Sequence, residues 1–283
     1  MEGGVFGASP GLSGPADFAG LLKRQGLYPA AGSFYPAAGS FHPMAGAVHG
    51  VPAGERPIET QATTILAFKF ADGVLMAGDR RATAGNTVVY DRADKVLEID
   101  RHSLMAIAGV PATAWEMARV LEHSFQFYRR TQLQEMSLDG KVRALSKLLR
   151  DNFGFVMQGV GIVVPIFATY DTAAAAARLY FYDAMGAQFE AADYAVSGSG
   201  SPAVRSILYY ANTWDAKMLK DLKREEAVVL ALRALDTAAE TDTATGGVDR
   251  RGRVYPIVKI VSGEGISTLS DEDLATTFQR EVR

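Results

Sequence analysis

The chain has 283 residues, 48% of them apolar, and a formal charge of −3. That is enough for one large domain or two small ones, and so slight a negative charge gives no electrostatic case for nucleic acid as a partner. There is no cysteine, which excludes disulfides, zinc ribbons and thiol nucleophiles. No uninterrupted apolar run approaches the ~18 residues of a membrane-spanning helix. Residues 1–20 lack the basic start and compact apolar core of a secretory signal, so a cytoplasmic protein is expected. The four histidines, His42, His49, His102 and His123, sit in no distinctive motif.

Residues 1–62 hold 12 of the 28 glycines and 7 of the 11 prolines. Such a segment has little apolar surface to set against its ordering entropy and reads as a flexible leader. It contains a repeat of seven. Tyr28-Pro29-Ala30-Ala31-Gly32-Ser33-Phe34 is followed by Tyr35-Pro36-Ala37-Ala38-Gly39-Ser40-Phe41, and a degenerate third copy begins at His42. Proline and glycine in every copy rule out a coiled coil.

From Thr63 the pattern is that of a folded domain. Thr63 to Phe70 is β-rich; Ala71-Asp72-Gly73 is a turn, with Gly73 expected at positive φ; Val74 to Asp79 is the returning strand. A second hairpin joins Lys95–Ile99 to Leu104–Ala108. Two amphipathic helices follow, one carrying Ala114, Ala118, Leu121, Phe125 and Tyr128, the other Val142, Leu145, Leu148, Leu149 and Phe153. Strands return at 163–170, 178–183 and 194–197. Helices are expected from Pro202 to about Asn212 and over 225–240, with a late strand at 254–262. Strands in hairpins and helices in pairs do not fit a doubly wound parallel sheet. They predict an α+β, four-layer αββα sandwich of two stacked, mainly antiparallel sheets.

A threonine hydroxyl needs a base to act as a nucleophile, and the chain's own α-amino group can supply one. That requires threonine as the first residue. Thr63, at the end of the leader and the head of a strand, has the right place.

The blocks Thr63-Thr64-Ile65-Leu66-Ala67, Gly73 to Thr83 and Lys95-Val96 closely resemble the N-terminus of mature proteasome β-subunits. The resemblance is strongest to the bacterial, actinobacterial-type 20S core. It continues through Ala108-Gly109, Ser197-Gly198-Ser199-Gly200-Ser201 and Asp242 to Gly247, in family order over essentially all of 63–283. It implies the N-terminal-nucleophile hydrolase fold, with residues 1–62 a propeptide removed by autocatalysis and 63–283 the mature hydrolase domain.

The resemblance also implies roles. Thr63 matches the nucleophile, Lys95 the catalytic lysine, and Asp79 the acid that holds it. Ser199, Asp242 and Thr245 match the group that supports the α-amine. Gly109 matches the oxyanion-hole donor, and Thr83 the strand that pairs with substrate. The first specificity pocket is expected to be lined by Ala82, Ala93, Leu97, Ile107 and Pro111. All are apolar, which predicts cleavage after large apolar residues. The processing bond joins Ala62 to Thr63. The family usually has glycine before the nucleophile, so Ala62 bears on the rate of processing; Pro111 is a second departure, where small non-proline residues are common.

By the same resemblance the partners are proteasome α-subunits and other β-subunits in stacked rings, a ring-shaped ATPase, and polypeptide substrates, some tagged with a ubiquitin-like protein. No metal or organic cofactor is implied. Two rivals remain: a simpler two-ring bacterial relative, against which the Asp242–Gly247 block and the long leader stand, and a catalytically silent ring subunit.

Overall fold

The computed structural model describes residues 63–84, 87–158, 160–249 and 251–282. The leader, its repeat and Ala62 lie outside the described residues. Twelve strands and six helices are present among the described residues. In chain order they are β1 (Thr64–Phe70), β2 (Gly73–Gly78), β3 (Ala82–Ala84), β4 (Thr87–Tyr90), β5 (Val96–Asp100), β6 (Ser103–Ala106), α1 (Pro111–Gln132), α2 (Leu138–Asp151) and α3 (Phe153–Val156). Then come β7 (Ile166–Asp171), β8 (Ala176–Tyr182), β9 (Gln188–Glu190), β10 (Tyr194–Gly198), α4 (Ser201–Trp214), α5 (Arg224–Thr241), β11 (Ile257–Ser262), β12 (Gly265–Thr268) and α6 (Asp271–Glu281).

The strands form two five-stranded sheets, β10-β1-β2-β11-β12 and β5-β6-β7-β8-β9, with β3 and β4 as a separate hairpin. Every described pairing between strands is antiparallel. The layers follow from side-chain alternation, because successive residues of a strand face opposite sides. On β1, Ile65 and Ala67 face the second sheet, while Leu66, Phe68 and Phe70 face helices α4, α5 and α6. On β2, Val74 and Met76 join the inter-sheet layer; Leu75 and Ala77 join the helix layer. In the second sheet, Leu104, Ala106, Ile166, Ala168 and Leu179 point inward to the first. Met105, Phe167 and Tyr182 point outward to α1 and α2. The central strands of both sheets are thus buried on both faces, which gives the expected αββα order.

Local chemistry sets the helix ends. Pro111 opens α1, where its missing N–H costs nothing. Ser137 and Ser270 cap α2 and α6 by accepting the amides of Gly140 and Asp273 at 3.2 and 3.1 Å. Three acidic residues, Asp271, Glu272 and Asp273, fill the first turn of α6 and suit its dipole.

Several expectations are corrected. Gly73 is not at positive φ among the described backbone. A Cβ there would meet the Val261 carbonyl oxygen at 2.1 Å, so close approach of β11 is what demands glycine. The strands expected from 163 and 254 begin at Ile166 and Ile257, each just after a proline that breaks the ladder. Val163 and Val254 instead make isolated bridges to Gly109 and Asp249. The hairpin β3–β4, the short β9, the edge strand β12 and helix α6 were not read from sequence. α6 packs Leu274 and Phe278 into the outer helix layer, and Phe278 meets Tyr255 edge-on at 6.3 Å.

Candidate active site

The site lies where the two sheets meet at one edge, around the carboxylate of Asp79, which is fully buried. A buried carboxylate must fill its acceptor positions. Oδ1 accepts the Thr64 amide at 2.8 Å and the Lys95 ammonium at 2.7 Å. Oδ2 accepts the amides of Arg81 and Gly246, each at 2.9 Å. Four separate parts of the chain therefore converge on one side chain: the head of β1, the bend before β5, the turn after β2, and the loop after α5.

Lys95 is nearly as buried and also donates to the Arg81 carbonyl at 2.5 Å. Burial pushes its pKa down, and the nearby Arg81 cation adds to that. The Asp79 carboxylate pulls it back, and the outcome lies below an ordinary lysine.

A second group lies on the other side of Thr63 and Thr64. Asp242 Oδ2 accepts the hydroxyls of Ser199 at 2.6 Å and Thr245 at 2.5 Å, and Oδ1 accepts the Ala244 amide at 3.1 Å. Burial works to raise this carboxyl, but those donors outweigh it and hold it below the usual aspartate range. With its proton committed to Asp242, Thr245 Oγ1 accepts from Thr64 Oγ1 at 2.6 Å. Thr64 Oγ1 in turn accepts the Gly200 amide at 2.9 Å. A directed hydroxyl chain thus runs from Gly200 through Thr64 and Thr245 to Asp242. Arg81 ties the two groups together, its Nη1 donating to the carbonyls of Thr243 at 3.0 Å and Thr245 at 3.3 Å.

Thr63 itself is buried, and its carbonyl accepts the Ser199 amide at 2.9 Å. Gly198, at φ 96°, makes that approach possible: a Cβ there would sit 1.8 Å from the Thr63 carbonyl oxygen.

Thr63, Lys95 and Gly109 line a cavity of about 90 Å³. Of the five residues expected at a specificity pocket, Ala82, Ala93, Ile107 and Pro111 line this cavity. Leu97 does not: it is packed on the α1–α2 side of β5, in the core around Ile99 and Met105. Two aromatic walls were missed from sequence, Tyr90 at the end of β4 and Trp115 on the second turn of α1. Thr83 is buried on β3, opposite Val88, beside Ala82 of the pocket wall. Thr64 and Arg81 were also missed as parts of the site, though both stand inside the quoted sequence blocks. Among the described residues no group of three His, Asp or Glu could hold a metal ion. No helix among them is long and apolar enough to cross a membrane.

A family model described as proteasome subunit matches residues 59–251. The chain belongs to the proteasome subunit family. It is similar to proteasome subunit beta 2 of Thermomonospora curvata, 38% identical over 221 residues, which are 78% of this chain and 76% of that protein. It is similar also to the proteasome subunit beta of Streptomyces griseus, 37% identical over 75% of this chain and 73% of the relative. The same holds for that of Streptosporangium roseum, 38% identical over 81% and 78%. The αββα sandwich of this proteasome family member is the N-terminal-nucleophile hydrolase fold.

The Asp79–Lys95 pair generates a stability prediction. Asp79→Asn leaves the Lys95 cation buried without its counter-charge and should destabilise the fold by about 3–5 kcal/mol. Asp79→Asn combined with Lys95→Met removes the stranded charge and should recover most of that loss. Chemical denaturation of the three chains checks both statements; an Asp79→Asn chain as stable as the parent would refute the first.

Proposed function

We propose that this chain is a threonine-type endopeptidase, the catalytic β-subunit of a proteasome core, with Thr63 as its nucleophile. The observation that carries the reading is the convergence on Asp79. One carboxylate holds the amide beside Thr63 and the Lys95 ammonium together, next to a pocket that Thr63 and Lys95 line. A subunit serving only as ring structure has no need of a buried lysine held in that way.

Cleavage after Ala62 frees the α-amine of Thr63. That amine takes the proton of the Thr63 hydroxyl as its oxygen attacks the scissile carbonyl. The Lys95 ammonium favours the developing alkoxide, and Asp79 keeps the lysine charged and aimed. The N–H of Gly109, on the pocket wall, donates to the oxyanion. The Thr63 α-ammonium passes that proton to the substrate's leaving amine as the scissile C–N bond breaks, giving an acyl ester on Thr63 Oγ1, and water that gives its proton to the same α-amine hydrolyses the ester and restores the hydroxyl. Ser199, Asp242 and Thr245 hold the segment that carries the amine, because Ser199 grips the Thr63 carbonyl while bonded to Asp242. Substrate pairs as an added strand along Thr83.

On this reading residues 1–62 are a propeptide that masks Thr63 until the subunit joins α-subunits and other β-subunits in stacked rings. A ring ATPase feeds it unfolded polypeptides, some bearing a ubiquitin-like tag, in the cytoplasm.

Three outcomes are expected. After co-expression with its α-type partner subunit, N-terminal sequencing should show a chain beginning at Thr63, while Thr63→Ala should stay full-length and inactive; a mature start elsewhere overturns the mechanism. The pH profile of kcat/KM should be bell-shaped. Activity rises as the α-amine loses its proton, near its ordinary pKa of about 8. It falls as Lys95 deprotonates, at a pH below the ordinary lysine value of 10.5 because burial lowers that group. An alkaline limb at or above that value would contradict the role given to Lys95. Among fluorogenic peptides with Leu or Tyr, Arg, or Glu before the cleaved bond, those with Leu or Tyr should turn over fastest. Fastest turnover after Arg would remove the apolar-pocket reading.

A further inference from the structure

On β11, Ile257, Lys259 and Val261 alternate onto the face that meets the second sheet, and Ile257 and Val261 lie in the inter-sheet core. Lys259 is buried with them, only 6% exposed. Its stem runs through the sandwich, and its ammonium emerges at the edge, 3.1 Å from Glu98 Oε1 and 3.6 Å from Asp94 Oδ2. Burying a lysine in an apolar layer costs free energy that an isoleucine or methionine would not. The charge therefore calls for a reason.

Its acidic partners flank Lys95. Asp94 is the residue before Lys95, and Glu98 is three residues after it. Asp94 is gripped on several sides: its Oδ1 accepts the Val96 amide at 3.0 Å, and its carbonyl accepts Trp115 Nε1 at 3.4 Å. Oδ2 is the oxygen that faces Lys259. The bend that aims the Lys95 side chain is thus fixed from the first sheet as well as from its own.

Three ion pairs consequently cross the gap between the sheets, one in one sense and two in the other. Lys95, at the head of β5 in the second sheet, reaches Asp79 at the end of β2 in the first. Lys259, on β11 of the first sheet, reaches back to Asp94 and Glu98 of the second. β2 and β11 are neighbours, with Gly78 beside Ile257 and Met76 beside Lys259, so the circuit closes through one strand pair. Thr63 heads a strand of the first sheet and Lys95 one of the second. Any slide of one sheet over the other changes the distance between them.

We infer that Lys259 is a positioning residue for the Thr63–Lys95 pair, acting through Asp94 and Glu98 as the return half of a two-way inter-sheet clasp. The inference rests on the roles given to Thr63 and Lys95 under the proposed function. Among the described residues, charged groups facing Lys95 include Asp79, Arg81 and Asp242, and those facing Lys259 include Asp94 and Glu98.

The test uses the full chain co-expressed with its α-type partner subunit and assayed with a fluorogenic peptide ending in Leu or Tyr. Lys259→Met should lower kcat about tenfold or more, since small misplacements of reacting groups are costly in rate, with KM changed less than about twofold. Its alkaline pH limb should move, because Lys95 sits in altered surroundings. Lys259→Arg, which can span the same gap, should restore most of kcat and the original limb. Asp94→Asn, at a half-exposed position, should reproduce the effect more weakly, and the double variant with Lys259→Met should be no worse than Lys259→Met alone.

A merely structural lysine would lower thermal stability and leave kcat per processed site and the pH limb in place. That result overturns the inference, and so does additive behaviour of the Asp94 and Lys259 variants. Should Lys259→Met fail to assemble, Asp94→Asn alone decides by the same two readouts. Thr63→Ala run in parallel separates the two levels. Activity lost there but kept in Lys259→Met removes only the clasp, whereas activity kept in Thr63→Ala removes the nucleophile assignment and the clasp with it.

Discussion

The structure turns on a buried carboxylate with no spare acceptor position. Asp79 is shut off from water, so its charge is tolerable only while four donors hold it. Those donors lie as far as 167 residues from Asp79 along the chain, and the loss of any one leaves a buried acceptor position unfilled. The demand fixes the head of β1 against the end of β2, fixes the bend before β5 beneath them, and draws in the loop after α5. Thr63 is placed by that constraint together with the Ser199 amide that its carbonyl accepts.

The layered architecture supplies the conditions for it. The central strands of both sheets are covered on both faces, and Asp79 and Lys95 between them are dry enough for the charge pair to be strong and costly to break. Sandwich packing alone leaves sheets free to slide, because apolar contacts are non-directional. Directional bonds across the gap remove that freedom, and Asp79–Lys95 is one of them. The hydroxyl chain from Thr64 to Asp242 does the same for the loop after α5, whose backbone Arg81 also clamps.

Most of this architecture could be read from the residues, and the failures share a cause. The short β-rich runs Thr63–Phe70 and Val74–Asp79 mark strands buried on both faces, and the spacing of apolar residues in α1 and α2 marks one buried stripe near 3.6 residues. Elements without such a period were missed. β4 is exposed along its whole length, β9 likewise, and α6 is mostly polar outside Leu274 and Phe278. Among site residues, Asp79, Lys95, Ser199 and Asp242 came from the order of motif blocks. Tyr90 and Trp115 did not, since a wall residue is defined by the cavity it faces. Leu97 was misplaced for the same reason: its apolar character fitted a pocket as well as it fits the core beneath α1.

By itself the sequence determined the strand and helix periods, and so a two-sheet sandwich between helix layers. These are local matters, written in composition and in repeats of a few residues. Only the tertiary structure decided which distant groups meet: that Asp79 serves four donors, that Thr64 relays to Asp242, and that Lys259 faces Asp94 across the sheets. In the sequence Lys259 is one charge inside an apolar run, Ile257-Val258-Lys259-Ile260-Val261. Periodicity says which way it points. What it points at depends on how two sheets stack, and that is settled by the summed packing and ion pairs of the whole domain.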